Sequence, residues 1–211
     1  MLRRSSARLL ERYPWLCVNA IVGDYDHHIG AIPRGERRLF AFLGGTIGNF
    51  DPAAAVAFLR RLGEELSPSD HLLLGTDLVK DESVLNAAYN DACGVTADFN
   101  KNILSVLNRE LGADFDLSRF RHVAFYNPAL CQIEMHLESL ADQVVTVPEV
   151  GMRVAFSRGE RMLTEISRKF SRDSVRALLS EAGLELCGWF ESADGYFGLS
   201  LSRYARMSPR D

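Results

Sequence analysis

Apolar residues along the chain are spaced in two ways, which predict a sheet flanked by helices. Near-continuous apolar runs predict buried strands at 16–25, 38–45 and 71–77. Helical spacing instead covers residues 2–12 and about 52–66, and Asp51 before Pro52 is a good N-cap for the second of these helices. The order of strand, strand, helix and strand favours a parallel α/β sheet, whose ligands bind at the carboxyl ends of its strands.

The middle of the chain has a different pattern. Residues 82–111 form a long helical stretch that Gly94 interrupts. Segments with alternating or β-branched residues, cut by Pro and Gly, then predict antiparallel strands at 122–128, 130–140, 142–148 and 151–157. We therefore expect a smaller α+β insert of residues 82–168.

The last part of the chain predicts one helix and two strands. Ser171 is a suitable N-cap for a helix that Gly183 ends. Two strand-like runs then close the chain as a hairpin-like pair. Together with the first part of the chain, these elements predict a main domain built from residues 1–81 and 169–211.

Composition excludes two classes of protein. The 211 residues are 47% hydrophobic and 25% charged with a net charge of −4, which is ordinary for a globular protein. A mildly acidic chain without a dense Lys/Arg block is a poor candidate for binding nucleic acid. No apolar run approaches the roughly 20 residues that a membrane-spanning helix needs. We expect a protein that binds neither nucleic acid nor a membrane.

The cysteines and histidines give no sign of a metal site. Cys17, Cys93, Cys131 and Cys187 are widely scattered and form no CxxC pair. We expect them to be buried or half-buried thiols in a reducing environment, which favours a cytoplasmic protein. The adjacent histidines at 27–28 fall in a predicted surface loop, where neighbouring side chains project in different directions.

A glycine-rich turn follows the second predicted strand, where residues 42–50 read FLGGTIGNF. The turn lacks the Lys-Ser/Thr of a P-loop, and it is not a GxGxxG motif. Its glycines can serve tight packing of the strand and the helix, or they can let a ligand approach the backbone closely. The amide of Asn49 favours a ligand, because its donors and acceptor can hold the carboxylate or the amine of an amino acid.

Other positions suit either a ligand or ordinary structure. Asp24 follows a predicted strand, so its carboxylate can accept a hydrogen bond from a ribose or an adenine amino group, or it can cap a helix. Glu165 and Ser167 are two residues apart and share one face of a strand, where they suit a ligand with a ring N–H or simply meet solvent. Tyr89 lies in a helical segment, where aromatic residues usually belong to the core. Residues alone therefore indicate an α/β domain with a ligand site at the strand ends, without a recognisable catalytic triad or metal motif.

Several long blocks of the chain resemble one enzyme family. They include FLGGTIGNF, LLLGTDLVKD, AYNDACGVTADFNKNILSVLNRELGADFDL, IEMHL, MLTEISRKF and GYFGLSLSRY. In order and spacing they resemble the L-histidine N-alpha-methyltransferases of ergothioneine biosynthesis, which use S-adenosylmethionine (SAM) to trimethylate histidine to hercynine. The resemblance implies a class I, Rossmann-like methyltransferase sheet of strand order 3-2-1-4-5-7-6. It also implies that residues 82–168 recognise the substrate, L-histidine, and that the full-length enzyme is a monomer.

The resemblance assigns substrate contacts to positions in both parts of the chain. These positions are Asn49, Tyr89, Thr96, Phe99, Met135, Glu165 and Ser167. Asn49 and Tyr89 match the pair that holds the carboxylate and amino end of histidine. Glu165 and Ser167 match the residues that read the two imidazole nitrogens. Thr96 and Phe99 match a helix that closes over the substrate, and Met135 matches the wall of the imidazole pocket.

The resemblance also assigns the cofactor contacts. Asp24 and Tyr25 match the element on the adenine side of SAM, and Gly44 matches the floor between cofactor and substrate. No metal and no catalytic acid–base residue is implied. The reaction is the in-line attack of an uncharged α-amine on the sulfonium methyl group, to which the protein contributes positioning and desolvation.

One departure from the family is large. The family's glycine-rich cofactor loop, ELGSGTSxKT, and the acid that grips the ribose precede the region that matches this chain. We therefore expect a C-terminal two-thirds of such an enzyme that lacks the first strands of the sheet and exposes an edge of the strand at 38–45. On this interpretation the 211 residues alone bind SAM weakly and self-associate. A related amino-acid or amine N-methyltransferase and a catalytically inactive fragment are the alternatives.

Overall fold

The chain divides into two units, Met1–Arg37 and Arg38–Asp211, and the computed structural model describes residues 2–205, apart from the side chains of Tyr25 and Asp26. The helices of the described residues are α1 (Leu2–Arg12), α2 (Tyr25–His28), α3 (Pro52–Glu64), α4 (Glu82–Tyr89), α5 (Val95–Leu111) and α6 (Arg172–Glu181). The strands are β1 (Leu39–Phe42), β2 (His71–Asp77), β3 (Phe120–Asn127), β4 (Gln132–Ser139), β5 (Gln143–Val147), β6 (Met152–Phe156), β7 (Arg161–Arg168), β8 (Leu184–Glu191) and β9 (Phe197–Tyr204). The predicted helices are confirmed, and so are the predicted strands with one exception.

The exception is the strand predicted at 16–25, in the first unit, which is wrong. Residues 16–24 form no strand, and α2 begins at Tyr25. Ile21 and Val22 are 50% and 90% exposed. A strand is stabilised by hydrogen bonds to a neighbouring strand, and none of the described strands pairs with this segment. The apolar run alone is therefore not sufficient to form a strand here.

The main sheet lies in the second unit and has the strand order β1-β2-β9-β8. β1 and β2 are parallel, with Leu39 opposite His71, whereas β9 is antiparallel to β2 and to β8. This order corresponds to the 4-5-7-6 part of the sheet that the family resemblance implies, so the predicted α/β fold class is confirmed. Among the described strands β1 is an edge strand, and Leu39 at its start is 59% exposed.

Helices α3 and α6 pack against each other and against β9. The start of α3 is capped as predicted, because the Asp51 side chain accepts a hydrogen bond from the backbone N–H of Ala54 at 2.9 Å. Phe58 of α3 is almost fully buried, and its ring centroid lies 4.7 Å from that of Phe42 in β1. Burying one such side chain contributes about 1.5–3 kcal/mol, so this face of α3 anchors the helix to the sheet.

A buried ion pair aligns the starts of the two parallel strands. Asp70 directly precedes β2 and is fully buried, and Arg38 directly precedes β1. The Asp70 carboxylate accepts from the Arg38 backbone N–H at 2.7 Å, from Arg38 Nη2 at 2.7 Å and from the Ser67 N–H at 2.8 Å. The Arg38 side chain is the main reason why the pKa of Asp70 is held well below its usual range. The His71 N–H donates to the Arg38 carbonyl at 3.0 Å, which continues the alignment into the strands.

Residues between α3 and α6 build two further groups of strands. β3, β4 and β7 form an antiparallel sheet in the order β3-β4-β7, and β5 pairs with β6. One core cluster joins α5 to these strands through Leu104, Phe115, Phe120, Leu137, Val145, Val147 and Phe156. A second cluster packs α4 on β3 and β4 through Leu85, Tyr126, Ile133 and Met135. The division of the chain into a main domain and an insert of residues 82–168 stays a prediction.

Glycine and serine set the ends of helices where the sequence indicated. α4 ends at Tyr89, and α5 begins after Gly94, whose φ of +72° lies in the left-handed region that favours glycine. Ser171 caps α6 through a capping box with Ser174. Gly183, with φ of +78°, follows the end of α6.

The cysteines are more exposed than the sequence predicts. Cys17, Cys93, Cys131 and Cys187 are all exposed, so the prediction of buried or half-buried thiols is wrong. Cys131 lies in the turn between β3 and β4, and Cys187 lies in β8, an edge strand of the main sheet, so both positions face solvent. In the described part of the chain every helix is too short or too polar to cross a membrane.

We expect Asp70→Asn to lower the midpoint of thermal unfolding by about 5 °C or more at pH 7, because its partners are donors that an amide NH2 would leave unpaired. Since the pKa of Asp70 is lowered by folding, its stabilising effect is present above the unfolded-state pKa of about 4 and is lost as the pH falls towards the folded-state pKa. The difference between variant and wild type should therefore shrink below about pH 4. Thermal unfolding followed by circular dichroism at pH 7 and pH 3 measures both effects.

The matched control for this prediction is Asp173→Asn. Asp173 pairs with Arg176 at 3.0 Å on the surface of α6, where its side chain is 87% exposed. Exposed pairs contribute little to stability, so the control should leave the midpoint nearly unchanged. Equal losses in the two variants would contradict the role assigned to the buried pair.

Candidate active site

Each glycine of the turn between β1 and α3 has a structural explanation. Gly44 and Gly45 have φ of +88° and +73°, in the left-handed region. Gly48 is required for a different reason, because a Cβ at this position would lie 2.7 Å from the backbone oxygen of Arg168 at the end of β7. Left-handed backbone and tight packing therefore account for these glycines, and the ligand contact predicted for Gly44 stays a prediction.

The same packing brings the turn to the carboxyl end of β2 and to the end of β7. A Cβ on Gly45 would lie 3.8 Å from the Cβ of Asp77, the last residue of β2. Asn49 ends the turn with its side chain exposed, and its amide makes no hydrogen bond within residues 2–205. The Asn49 amide is thus available to a ligand at the edge where α/β sheets bind their ligands.

Four of the predicted substrate residues lie together on β4, β7 and the end of α4. In the register of the sheet, Glu165 is opposite Met135 and Ser167 is opposite Ile133. The Tyr89 hydroxyl, from the last residue of α4, donates to Ser167 Oγ at 2.8 Å. Met135 is almost fully buried in the core cluster against which the Tyr89 ring packs. Tyr89 therefore combines a core ring with a hydroxyl in a polar cluster.

Lys169 lies at the centre of this polar cluster, although the sequence analysis did not single it out. Its side chain is fully buried. The ammonium donates to Tyr89 Oη at 3.0 Å and to Ser167 Oγ at 2.8 Å, and it lies 2.8 Å from Asp77 Oδ2. The buried charge is thus paired with one carboxylate and hydrogen-bonded to two hydroxyls, and such partners are the condition for tolerating it.

Asp77 connects this cluster to the main sheet. Its carboxylate also binds Lys80, whose Nζ lies 2.6 Å from Oδ1. Lys80 in turn lies 4.6 Å from the centroid of the Tyr196 ring. The backbone oxygen of Asp77 accepts from the N–H of Phe170 at 2.9 Å, so β2 and the segment after β7 are joined through backbone and side chain.

Glu165 differs from the other polar residues of the cluster. Its carboxylate is half-buried and makes no hydrogen bond to the described part of the chain. Burial raises the pKa of Glu165, and the nearby Lys169 ammonium opposes the increase. A half-buried carboxylate without a partner can accept a hydrogen bond from a ligand N–H.

One buried and one half-buried polar side chain hold the end of α4 at Tyr89 in place. His122 Nε2 lies 2.9 Å from the Tyr89 carbonyl, and His122 Nδ1 lies 2.9 Å from Asn100 Nδ2. The amide nitrogen is a donor and the carbonyl an acceptor, so this arrangement matches the His122 tautomer that carries its proton on Nε2. Asn100 is almost fully buried and also donates to the His136 carbonyl at 3.0 Å. This network fixes the end of α4 relative to β3 and β4.

Two predicted substrate residues lie near the start of α5. Thr96 is half-buried, and its backbone N–H donates to Asp91 Oδ1 at 2.8 Å. Phe99 is 63% exposed. No hydrogen bond or ring contact joins either side chain to Tyr89 or Ser167 among the described residues. Their predicted role in closing over a substrate stays a prediction.

The predicted adenine contacts, Asp24 and Tyr25, lie in the first unit. The Asp24 backbone N–H donates to His28 Nδ1 at 3.0 Å, and its carboxylate lies 3.2 Å from His27 Nδ1. A small cleft of about 150 Å³ is lined by Ile21, Gly23, Asp24, His28, Ile29 and Ile32. The side chain of Tyr25 lies outside the described part of the structure. The cleft combines apolar walls with one carboxylate.

The sequence does carry a signal for Lys169. Glu165, Ser167 and Lys169 are spaced by two, so all three lie on one face of an extended segment. The signal for Asn100 and His122 is weaker, because a buried Asn and a buried His show no spacing of their own. Their partners come from distant parts of the chain and become visible after folding.

We expect Gly48→Ala to lower the free energy of unfolding by about 1–3 kcal/mol, because its Cβ requires space that backbone atoms of β7 occupy. Gly188→Ala in β8 is the matched control, since its Cβ would lie 3.5 Å from Leu201 Cβ, an ordinary contact distance. Denaturant unfolding of both variants measures the difference. A Gly48→Ala variant as stable as Gly188→Ala would contradict the close packing of the turn on β7.

Comparison with known proteins identifies relatives over nearly the whole chain. A family model described as histidine-specific methyltransferase, SAM-dependent, matches residues 1–204. The histidine N-alpha-methyltransferase of Mycolicibacterium smegmatis is 50% identical over 202 residues, which cover 96% of this chain and 63% of the relative. The chain thus spans about 63% of the length of this curated relative.

Two further relatives are more distant. The ergothioneine biosynthesis protein 1 of Schizosaccharomyces pombe is 28% identical over 88% of this chain and 24% of the relative. The L-tryptophan methyltransferase trpM of Psilocybe serbica is 31% identical over 85% of this chain and 52% of the relative. Because the family model matches 1–204, the chain belongs to the family of histidine-specific, SAM-dependent methyltransferases.

Proposed function

We propose that this protein transfers methyl groups from SAM to the α-amine of L-histidine and forms N-alpha-trimethylhistidine (hercynine) in ergothioneine biosynthesis. Membership of the family supports the reaction, and the name of the Mycolicibacterium relative supports histidine as the substrate. The name of the Schizosaccharomyces relative supports the pathway. We also expect the protein to act in the cytoplasm and, at full length, as a monomer.

One observation carries the proposal, namely the hydrogen bond of 2.8 Å between Tyr89 and Ser167. Tyr89 is the residue proposed for the amino end of the substrate, and Ser167 is one of the two proposed for its ring. The distance between these two ends of histidine is short, so its binding residues must lie close together. Glu165 lies two residues from Ser167 and has a carboxylate available to a ligand.

The amino-acid end of the substrate is proposed to bind Asn49 and Tyr89. The Asn49 amide is exposed and offers two donors and an acceptor to a carboxylate and an amine. Tyr89 Oη accepts one hydrogen bond from Lys169 and retains a lone pair that can accept from the amine. Both residues hold groups that every amino acid shares, so they contribute to affinity without selecting histidine.

The imidazole ring is proposed to bind Glu165 and Ser167. Glu165 accepts from the ring N–H, and Ser167 bonds the other ring nitrogen. Met135, which is opposite Glu165 in the sheet, supplies an apolar surface beside the ring. Thr96 and Phe99 are proposed to close over the substrate from α5.

The residues available in the first unit fit a role in binding SAM. The cleft beside Asp24 has apolar walls suited to adenine, and the Asp24 carboxylate can accept from an amino group or a ribose hydroxyl. Tyr25 is proposed to contact adenine as well, and Gly44 to form the floor between the cofactor and the substrate. When bound, SAM supplies an electrophilic methyl group on a sulfonium.

The chain's own contribution to the chemistry is positioning. Asn49 and Tyr89 hold the α-amine, and a hydrogen bond accepted by Tyr89 directs the nitrogen lone pair away from the hydroxyl. Aligned reactants in general gain roughly 7–11 kcal/mol over free ones. The amine reacts in its uncharged form, and each transfer leaves an ammonium whose proton passes to solvent before the next transfer, so no strong base is assigned to these residues.

A second candidate function is methylation of another amino acid. The L-tryptophan methyltransferase of Psilocybe serbica, which is 31% identical to this chain, favours keeping this candidate. The residues at the amino-acid end would serve both substrates. The choice of ring therefore depends on Glu165, Ser167 and Met135.

We expect Glu165→Ala to lower kcat/KM for histidine about ten- to a hundredfold, because it removes a charge-assisted hydrogen bond worth roughly 1.5–3 kcal/mol. Phenylalanine has no ring N–H, so its kcat/KM should change little or increase. Asn49→Ala is the control and should weaken both substrates alike. Steady-state kinetics with both amino acids measures the effects, and equal losses for the two substrates in Glu165→Ala would assign Glu165 a structural role.

The raised pKa of Glu165 leads to a prediction for pH dependence. Above this pKa the carboxylate is ionised and accepts strongly from the ring N–H, whereas below it the protonated group resembles an amide. The ratio of kcat/KM for histidine between wild type and Glu165→Gln should therefore fall towards one as the pH is lowered through the Glu165 pKa. A ratio close to one over the whole range of pH 4–9 would exclude an ionised Glu165 in the complex.

A further inference from the structure

We infer that Lys169 is a positioning residue for substrate selection, because it fixes the Ser167 hydroxyl as a hydrogen-bond donor towards the ligand. This inference rests on the proposed function of the site. It concerns a residue that acts through its neighbours, since its side chain is fully buried and its ammonium is hydrogen-bonded to Tyr89 and Ser167 and paired with Asp77.

The hydrogen bonds at Ser167 determine its direction. Ser167 Oγ accepts from Tyr89 Oη at 2.8 Å and from Lys169 Nζ at 2.8 Å. A hydroxyl oxygen has two lone pairs and one proton, so both acceptor positions are occupied. The O–H proton is the one bonding capacity that remains. Ser167 can therefore donate to a ligand but cannot accept from it.

Tyr89 connects Lys169 to Ser167 through a second hydrogen bond. Its oxygen accepts from Lys169 at 3.0 Å and its proton is given to Ser167. Lys169, which can only donate, occupies one acceptor position on each of the two hydroxyl oxygens. The phenolic O–H is the more acidic of the two hydroxyls, so Tyr89 donates to Ser167. Asp77 holds the ammonium in place, because its Oδ2 lies 2.8 Å from Lys169 Nζ.

The result is a site with one donor and one acceptor for a ring. Ser167 donates, and the Glu165 carboxylate accepts. A neutral imidazole carries one bare nitrogen and one N–H, and it satisfies both groups. A phenyl ring satisfies neither, and a site that leaves buried polar groups unpaired rejects such a ligand.

Removing Lys169 should relax this selection. In Lys169→Met, both hydroxyl oxygens lose the hydrogen bond from the ammonium, so Ser167 can donate to Tyr89 Oη when the ligand offers no acceptor. The penalty for phenylalanine then falls, and histidine loses a preoriented donor. The main sheet should tolerate the change, because Asp77 keeps its bond to Lys80 at 2.6 Å.

Lys80→Met is the matched control. Lys80 is also a lysine bound to Asp77, and it makes no hydrogen bond to Tyr89 or Ser167 within residues 2–205. It therefore perturbs the same carboxylate without changing the direction of the Ser167 hydroxyl. Thermal unfolding of both variants shows that each is folded before kinetics are compared. If Lys169→Met does not fold, Lys169→Gln, which keeps two N–H donors but no charge, replaces it in the same comparison.

The experiment measures kcat and KM for L-histidine and L-phenylalanine with SAM, using the full-length protein. Lys169→Met should lower the histidine-to-phenylalanine ratio of kcat/KM about three- to tenfold, mainly through KM for histidine, whereas Lys80→Met should leave the ratio unchanged. In a Ser167→Ala background, the effect of Lys169→Met on the ratio should disappear, because Lys169 acts through Ser167.

The outcomes separate the two proposals. Wild type that does not methylate histidine would overturn the proposed function and this inference with it. Wild type that methylates histidine, with an unchanged ratio in Lys169→Met, would overturn the inference alone. A reduced ratio that persists in the Ser167→Ala background would also overturn it, because Lys169 would then act by another route.

Discussion

The buried ammonium of Lys169 is the constraint on which the candidate site depends. A buried charge is costly unless it is paired and its donors are satisfied, so the three acceptors around it must stay in place. These acceptors come from β2, from α4 and from β7. A single side chain therefore requires that the end of the main sheet and the elements that carry Tyr89 and Ser167 meet at fixed distances.

The glycine turn shows that packing and function can depend on the same residues. Gly48 permits the turn to approach the backbone of Arg168, and Arg168 lies between Ser167 and Lys169. The glycines themselves are explained by left-handed backbone and by this close approach. The adjacent Asn49 is not explained by packing, since its side chain is exposed. A structural reading of the glycines is thus compatible with a ligand role for the residue that follows them.

Much of the fold could be predicted from the sequence because periodicity and end signals are local. The N-caps Asp51 and Ser171 and the interruption at Gly94 are each encoded within a few residues, and the structure confirms them. The strand predicted at 16–25 was wrong because a strand also needs a partner, which an apolar run does not specify. Lys169 was missed for a related reason. Its spacing from Ser167 was visible, but Asp77 and Tyr89 are joined to it only by the folded chain.

Preorganisation of the site extends beyond the residues that would touch a ligand. Tyr89 is the last residue of α4, a helix end that would otherwise fray, yet His122 holds its carbonyl and Asn100 holds His122. Fixing these groups on folding means that their ordering is not a cost at the moment of binding. The hydrogen bonds at Ser167 are fixed in the same way. Lys169 and Tyr89 both donate to its hydroxyl oxygen, so the Ser167 O–H remains for a ligand. Selection of a ring can then depend on which atoms donate and which accept, as well as on the size of the pocket.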